Sequence, residues 1–118
     1  MRKLILKSVI AFVLIAMLIN LIGCGSPSPS RVVRDLHNAI ERGNNKAIER
    51  LMTDQAASMV IMMGEKMQES LADLGRITTI EEEIDGNTAT VTVTYASGQI
   101  AEFDLVRENG RWKVAFDK

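Results

Sequence analysis

Residues 77–116 read ITTIEEEIDGNTATVTVTYASGQIAEFDLVRENGRWKVAF, and this stretch decides the fold. Within it Ala89, Val91, Val93 and Tyr95 alternate with Thr88, Thr90, Thr92 and Thr94. A period of two with one apolar set is the pattern of a strand buried on one face. Ile77 to Ile84 reads as the strand before it. Ala101, Phe103 and Leu105 then alternate with Glu102 and Asp104, and Trp112, Val114 and Phe116 with Lys113 and Asp117. Asp85-Gly86, Ser97-Gly98 and Asn109-Gly110 are hairpin turn signals, since tight turns need residues that accept positive φ. Three such turns join four strands into an antiparallel meander with one apolar face left to cover.

The cover lies upstream. Ser30 is a suitable N-cap for a helix in which Val33, Leu36 and Ile40 share one side while Arg34, Asp35, Asn38 and Arg42 take the other. Gly43-Asn44-Asn45 ends it, and Ala47, Ile48, Leu51 and Met52 form the stripe of a short second helix. Thr53 or Asp54 caps a third, longer helix that runs to Gly75 with Ala56, Val60, Met63, Met67, Leu71 and Leu74 inward. Helices followed by a meander predict a two-layer α+β domain over residues 31–118.

The first residues belong to no such layer. Arg2, Lys3 and Lys7 precede Val9 to Ile19, an unbroken apolar run of eleven residues. That length fits the ~7–15 residues of a signal h-region. An uncleaved membrane anchor is the competing reading. As a helix the run reaches only ~16 Å, against a hydrocarbon core of ~30 Å. Leu21-Ile22-Gly23-Cys24 then resembles the bacterial lipobox: a branched apolar residue, a tolerant position, a small residue and cysteine. The resemblance implies residues 1–23 as a lipoprotein signal peptide, cleavage between Gly23 and Cys24, and a diacylglyceryl group on the Cys24 thiol with further acylation (palmitate or a similar chain) at its amine. Several acyl chains, at ~0.8 kcal/mol per buried CH₂, make a firm anchor. Gly25 to Ser30, GSPSPS, follows as a tether of roughly 20 Å. Residues 24–30 are thus the lipidated cysteine and its tether, and the expected address is the cell membrane or the outer membrane, the domain facing away from the cytoplasm. Gly25 in place of Asp favours the outer membrane where there are two, by resemblance to sorting signals.

Cys24 is the only cysteine of the 118 residues, so lipidation leaves no disulfide, thiol nucleophile or thiolate metal site. Cleavage removes three of the 14 Lys/Arg and none of the 15 Asp/Glu, leaving a formal charge of −4. An acidic module with one Trp and one Tyr does not fit nucleic-acid binding. Nothing Gly-rich resembles a phosphate loop, and no cofactor is expected.

Helices carrying VVRDLHNAIERGNNKAIERLM (32–52), a long helix, and a meander ending in FDLVRENGRWKV (103–114) together resemble small bacterial lipoproteins of the nuclear-transport-factor-2-like, or cystatin-like, superfamily. Among these the match is to a lipoprotein domain of unknown function, over roughly Ser28 to Lys118. The resemblance implies a helix-backed, curved four-stranded sheet that can enclose a pocket. Its members include isomerases, dehydratases and pure binding modules, and no catalytic residue carries over by motif.

Three features stand as candidate sites. His37, the one histidine, is either a pocket acid–base or a boundary residue with one nitrogen in water. Glu82 shares a strand face with Ile80 and Ile84, which aims a carboxylate at the core unless a bulge or the sheet edge frees it. Glu81-Glu82-Glu83 also reads as an exposed, edge-protecting run. Met59, Ile61 and Met62 lie off the inward stripe of the third helix, so that its first half is apolar nearly all round. They are read as an adaptable partner surface or as intramolecular packing, and the thioethers of Met59, Met62 and Met63 alternatively as a soft Cu(I) site; no metal is expected. Two functions remain open. One is a non-enzymatic binding or protein-interaction module at the envelope, with a protein partner or a second copy. The alternative is a small isomerase- or dehydratase-like pocket enzyme using His37 with an acidic residue.

The anchor makes a direct prediction. Cys24→Ala abolishes incorporation of a fatty-acid analogue and blocks cleavage after Gly23; label retained on the variant would remove the lipoprotein assignment.

Overall fold

The computed structural model describes residues 26–116; the signal segment, Gly23, Cys24 and the last two residues lie outside them. Four helices, α1 (Pro29–Arg42), α2 (Asn45–Leu51), α3 (Asp54–Met63) and α4 (Glu65–Leu74), precede four strands, β1 (Ile77–Asp85), β2 (Thr88–Tyr95), β3 (Ile100–Glu108) and β4 (Arg111–Ala115). The strands pair in chain order, all antiparallel. The expected α+β architecture is the one observed.

The alternation of β2 translates directly into burial. Ala89, Val91, Val93 and Tyr95 are buried while the threonines between them are partly open or exposed. Register puts Val91 opposite Phe103 and Ala89 opposite Leu105, and Leu105 opposite Val114, so one apolar face runs across three strands. Val32, Val33, Leu36 and Ile40 of α1, Ile48 of α2 and Ala56 and Val60 of α3 cover it. Met52 forms a parallel bridge to Val114, and the Thr53 amide donates to the Val114 carbonyl at 2.9 Å. This stitches the helical layer to the last strand.

The start of α1 differs from the expectation. Ser28, with extended backbone, is the N-cap; its hydroxyl accepts from the Arg31 amide at 3.3 Å, and Pro29 occupies the first turn. Proline fits there because the amide it lacks has no helical partner. Ser30 is already helical. The domain therefore begins inside the stretch read as a tether, and the Ser26 hydroxyl also donates to the Gly110 carbonyl at 3.0 Å. At the other end Gly43, at φ +65°, and Asn44 return their amides to Ile40 and Ala39, a Schellman-type stop. Asn44 then caps α2 through its side chain.

The long third helix is two helices. Gly64 sits at φ +50°, ψ −118°, a conformation strained for any residue with a Cβ, and it separates α3 from α4. The break turns Met63 out of the stripe, to 44 % exposure, while Ile61 turns in and packs against the core. Phe116, past the end of β4, is exposed as well, contrary to the inward parity of Trp112 and Val114.

Trp112 is 5 % exposed in the core, with the Arg107 guanidinium 4.5 Å from its ring centre on the neighbouring strand. Trp112→Ala is expected to cost ~3–5 kcal/mol, read from urea unfolding; a loss under ~1 kcal/mol would contradict its place in the core.

Candidate functional site

His37 lies on the inward side of α1, one turn after Val33, and is 7 % exposed, the buried polar residue of a core otherwise made of hydrophobic side chains. Both ring nitrogens are engaged. Nδ1 is 2.7 Å from the Val33 carbonyl and Nε2 is 2.7 Å from the Tyr95 hydroxyl. A carbonyl can only accept, so Nδ1 carries the proton, and in the neutral ring Nε2 accepts from the Tyr95 hydroxyl. Tyr95 stacks at a tilt, ring centres 5.7 Å apart, and Phe103 meets the imidazole edge-on at 5.5 Å.

Burial holds the proton affinity of His37 below its ordinary value of 6.5; the Arg34 charge pushes the same way, and the Val33 hydrogen bond and Glu41 oppose. Burial likewise raises the Tyr95 phenol above its ordinary 10.0. The ring is therefore neutral at pH 7, with its lone pair occupied. Neither sequence-based reading of His37 anticipated this: both nitrogens bond to protein, and neither is left to water.

Glu82 is not part of this arrangement. Its cross-strand partner is Val91, so it does sit on the helix-facing side of β1. It is exposed nonetheless, because β1 is an edge strand. Its Oε1 accepts from the Ser30 amide at 3.0 Å and the Ser30 hydroxyl at 2.6 Å. A carboxylate there satisfies an amide of the first turn of α1 and meets the positive end of the helix dipole. The expectation of a pocket pairing His37 with Glu82 is corrected: Glu82 caps α1, and His37 bonds Tyr95.

Two surface features remain. A polar cleft of about 330 Å³ lies over His37 where α1, the end of α4 and the start of β1 meet, bordered by Arg34, Asn38, Glu41, Arg76 and Ile77. At the α3–α4 bend, Met59, Met62 and Met63 with Glu65 and Lys66 line an apolar groove of about 460 Å³. Met62 is 86 % exposed, and Met59 and Met63 are exposed beside it. Of the three residues read as a binding surface, Met59 and Met62 stay on it and Ile61 leaves it for the core. Among the described residues no group of His, Cys, Asp and Glu is placed to hold a metal. No helix there is long and apolar enough to cross a membrane.

The sequence reading missed Tyr95, Arg34 and Arg76 as site residues. Tyr95 was legible: a lone tyrosine at an inward strand position needs a partner for its hydroxyl, and the histidine of an amphipathic helix can supply one. The arginines had no local signal, because only the packing of α4 beside α1 brings residues 34 and 76 to one cleft.

No protein-family model matches the chain, and no curated protein does. Among solved structures it is similar to a protein from Campylobacter jejuni that is provisionally named an NTF2-like transpeptidase. The TM-score is 0.53, over 76% of this chain and 100% of that one. The fold is NTF2-like. At 13% identity the likeness carries the fold and leaves that protein's activity aside. The helix-backed, four-stranded antiparallel sheet anticipated from the sequence resemblance is thus the NTF2-like arrangement, with the buried cluster and His37 between helices and sheet.

The His37 environment fixes a pH dependence. The folded chain holds its imidazole proton less tightly than the unfolded chain, so below about pH 6.5 the unfolded state binds more protons. Stability is fully present above that pH and falls as the pH drops through it. In thermal melts from about pH 7.5 to 5, wild type is expected to lose stability more steeply than His37→Gln; parallel curves would contradict the buried neutral imidazole.

Proposed function

We propose that this chain is a bacterial lipoprotein, anchored through Cys24, whose NTF2-like domain is a non-enzymatic protein-interaction module at the cell envelope. The observation that carries the reading is the methionine face at the α3–α4 bend, with Met59, Met62 and Met63 exposed around one apolar groove. Exposed thioethers are flexible and polarizable and adapt to varied apolar partners. A monomer gains nothing from leaving them in water.

The His37 geometry supports the non-enzymatic half. A general base needs a lone pair facing substrate, and here it faces the Tyr95 hydroxyl inside the core. No acid accompanies it in a hydrogen bond, since Glu82 is committed to Ser30. The start of the domain supports the anchor. Ser26 is bonded to Gly110, so only Gly25 separates Cys24 from a fixed residue. Two residue steps span at most ~7 Å, far less than the tether length expected from the sequence. A lipid on Cys24 would hold this domain directly against the bilayer.

Met62→Lys tests the contact surface. Because Met62 is 86 % exposed, the substitution should change monomer stability by no more than ~0.5 kcal/mol. It should abolish association with a partner or a second copy, because an unpaired ammonium in an apolar contact is strongly disfavoured. Melts and sedimentation of the two proteins decide it. Wild-type association in a stable Met62→Lys protein would overturn the assignment of this face.

A further inference from the structure

The cleft over His37 has a charge balance unlike its surroundings. Arg34, on α1, and Arg76, between α4 and β1, border it from two different elements, and both are exposed. The ion pairs among the described residues join Arg31 to Asp35 and Lys113 to Glu108, so neither cleft arginine forms a direct ion pair. Glu41 stands on the same rim without pairing to either. With a neutral imidazole below, two guanidinium groups less one carboxylate leave about one unit of positive charge on a chain of net negative charge. The volume, about 330 Å³, lies at the lower end of small-ligand sites.

We infer that this cleft binds a small organic monocarboxylate between Arg34 and Arg76, with Asn38 and Glu41 meeting polar groups at the ligand's other end. The guanidinium fork matches a planar carboxylate with two parallel hydrogen bonds. One excess positive charge matches one carboxylate, whereas a phosphate dianion would leave negative charge uncompensated beside Glu41. The inference deepens the binding-module reading by giving the domain a small-molecule site apart from the methionine face.

His37 is the chain's only histidine, so its ring resonances form a unique reporter beneath the cleft. The test is an NMR titration of the full-length chain in an uncharged detergent. The probes are N-acetylalanine, its neutral methylamide and inorganic phosphate. A saturable shift of the His37 signals with N-acetylalanine is expected, with no saturable response to the methylamide and weaker binding of phosphate. Arg34→Gln and Arg76→Gln should each weaken N-acetylalanine about tenfold, the order expected for losing one charge-assisted hydrogen bond. Both positions are exposed, and matched melts confirm that the variants fold. An absent shift, an equal response to the methylamide, tighter phosphate binding, or unchanged affinity in both variants would each overturn the inference. Neither the lipid nor Met62 enters the readout, so failure of the anchor or of the interaction face stays separable from failure of this site.

Discussion

The packing of α1 across the centre of the sheet is the interaction on which the other features depend. Val32, Val33 and Leu36 are at most 2% exposed, as are Val91, Val93, Leu105 and Val114 on the strands beneath. Each such side chain contributes ~1.5–3 kcal/mol on burial, and together they set the angle and register of the helix. His37 lies one turn after Val33 on the same helix, so seating the apolar residues carries an imidazole into the interior with them. Once there it must be satisfied, because an unpaired buried polar group costs ~1–3 kcal/mol. The preceding turn supplies one partner and β2 supplies the other. The His37–Tyr95 contact follows from the packing and ties helix to sheet with a directional bond that hydrocarbon contacts lack.

The ends of α1 are held with equal definition. Ser28 satisfies one amide of the first turn, Glu82 reaches across from β1 to satisfy another, and the Gly43 turn closes the last carbonyls. Glu82 ties the start of α1 to β1, and the Gln68 side-chain amide on α4 donates to the Ile40 carbonyl at 3.0 Å near its end, so the helix is held against sliding along its axis. The cleft over His37 therefore has one wall whose residues keep their height relative to β1. Arg34, Asn38 and Glu41 project from that wall at helical spacing, and Gly75, at φ +82°, turns the chain so that Arg76 enters the opposite side.

Much of this was legible in the sequence. The strands were, because burial on one face imposes a period of two and the connections carry Gly at positive φ: Gly86, Gly98 and Gly110 all have it. The helix stop at Gly43 was legible for the same reason. The α3–α4 break was not, since Val60, Met67 and Leu71 keep a helical spacing through Gly64, and glycine within a helical pattern is tolerated often enough to be read through. The N-cap at Ser28 was not read, because Ser30 is an equally good capping residue in a stretch where serine and proline alternate, and the structure places Pro29 at the first helical position. Glu82 had the right face and the wrong depth. Parity says which way a side chain points from the sheet, and only tertiary structure says whether a helix covers it there.

The buried cluster between α1 and the sheet bears on where binding can occur. A domain of roughly ninety residues buries a smaller share of its surface than a large one, so it can spare few of its inward-facing side chains. An enclosed cavity between α1 and the sheet would have to replace residues such as Val91 or Leu36 with empty space or polar lining, at several kcal/mol for each large side chain lost. The surface carries no such penalty. Met62 and its neighbours contribute little to the core, and Arg34 and Arg76 contribute charge without burial. In a helix-backed sheet of this size, binding chemistry is compatible with folding at the rim of the helical layer and at its bend, where the two proposed sites lie.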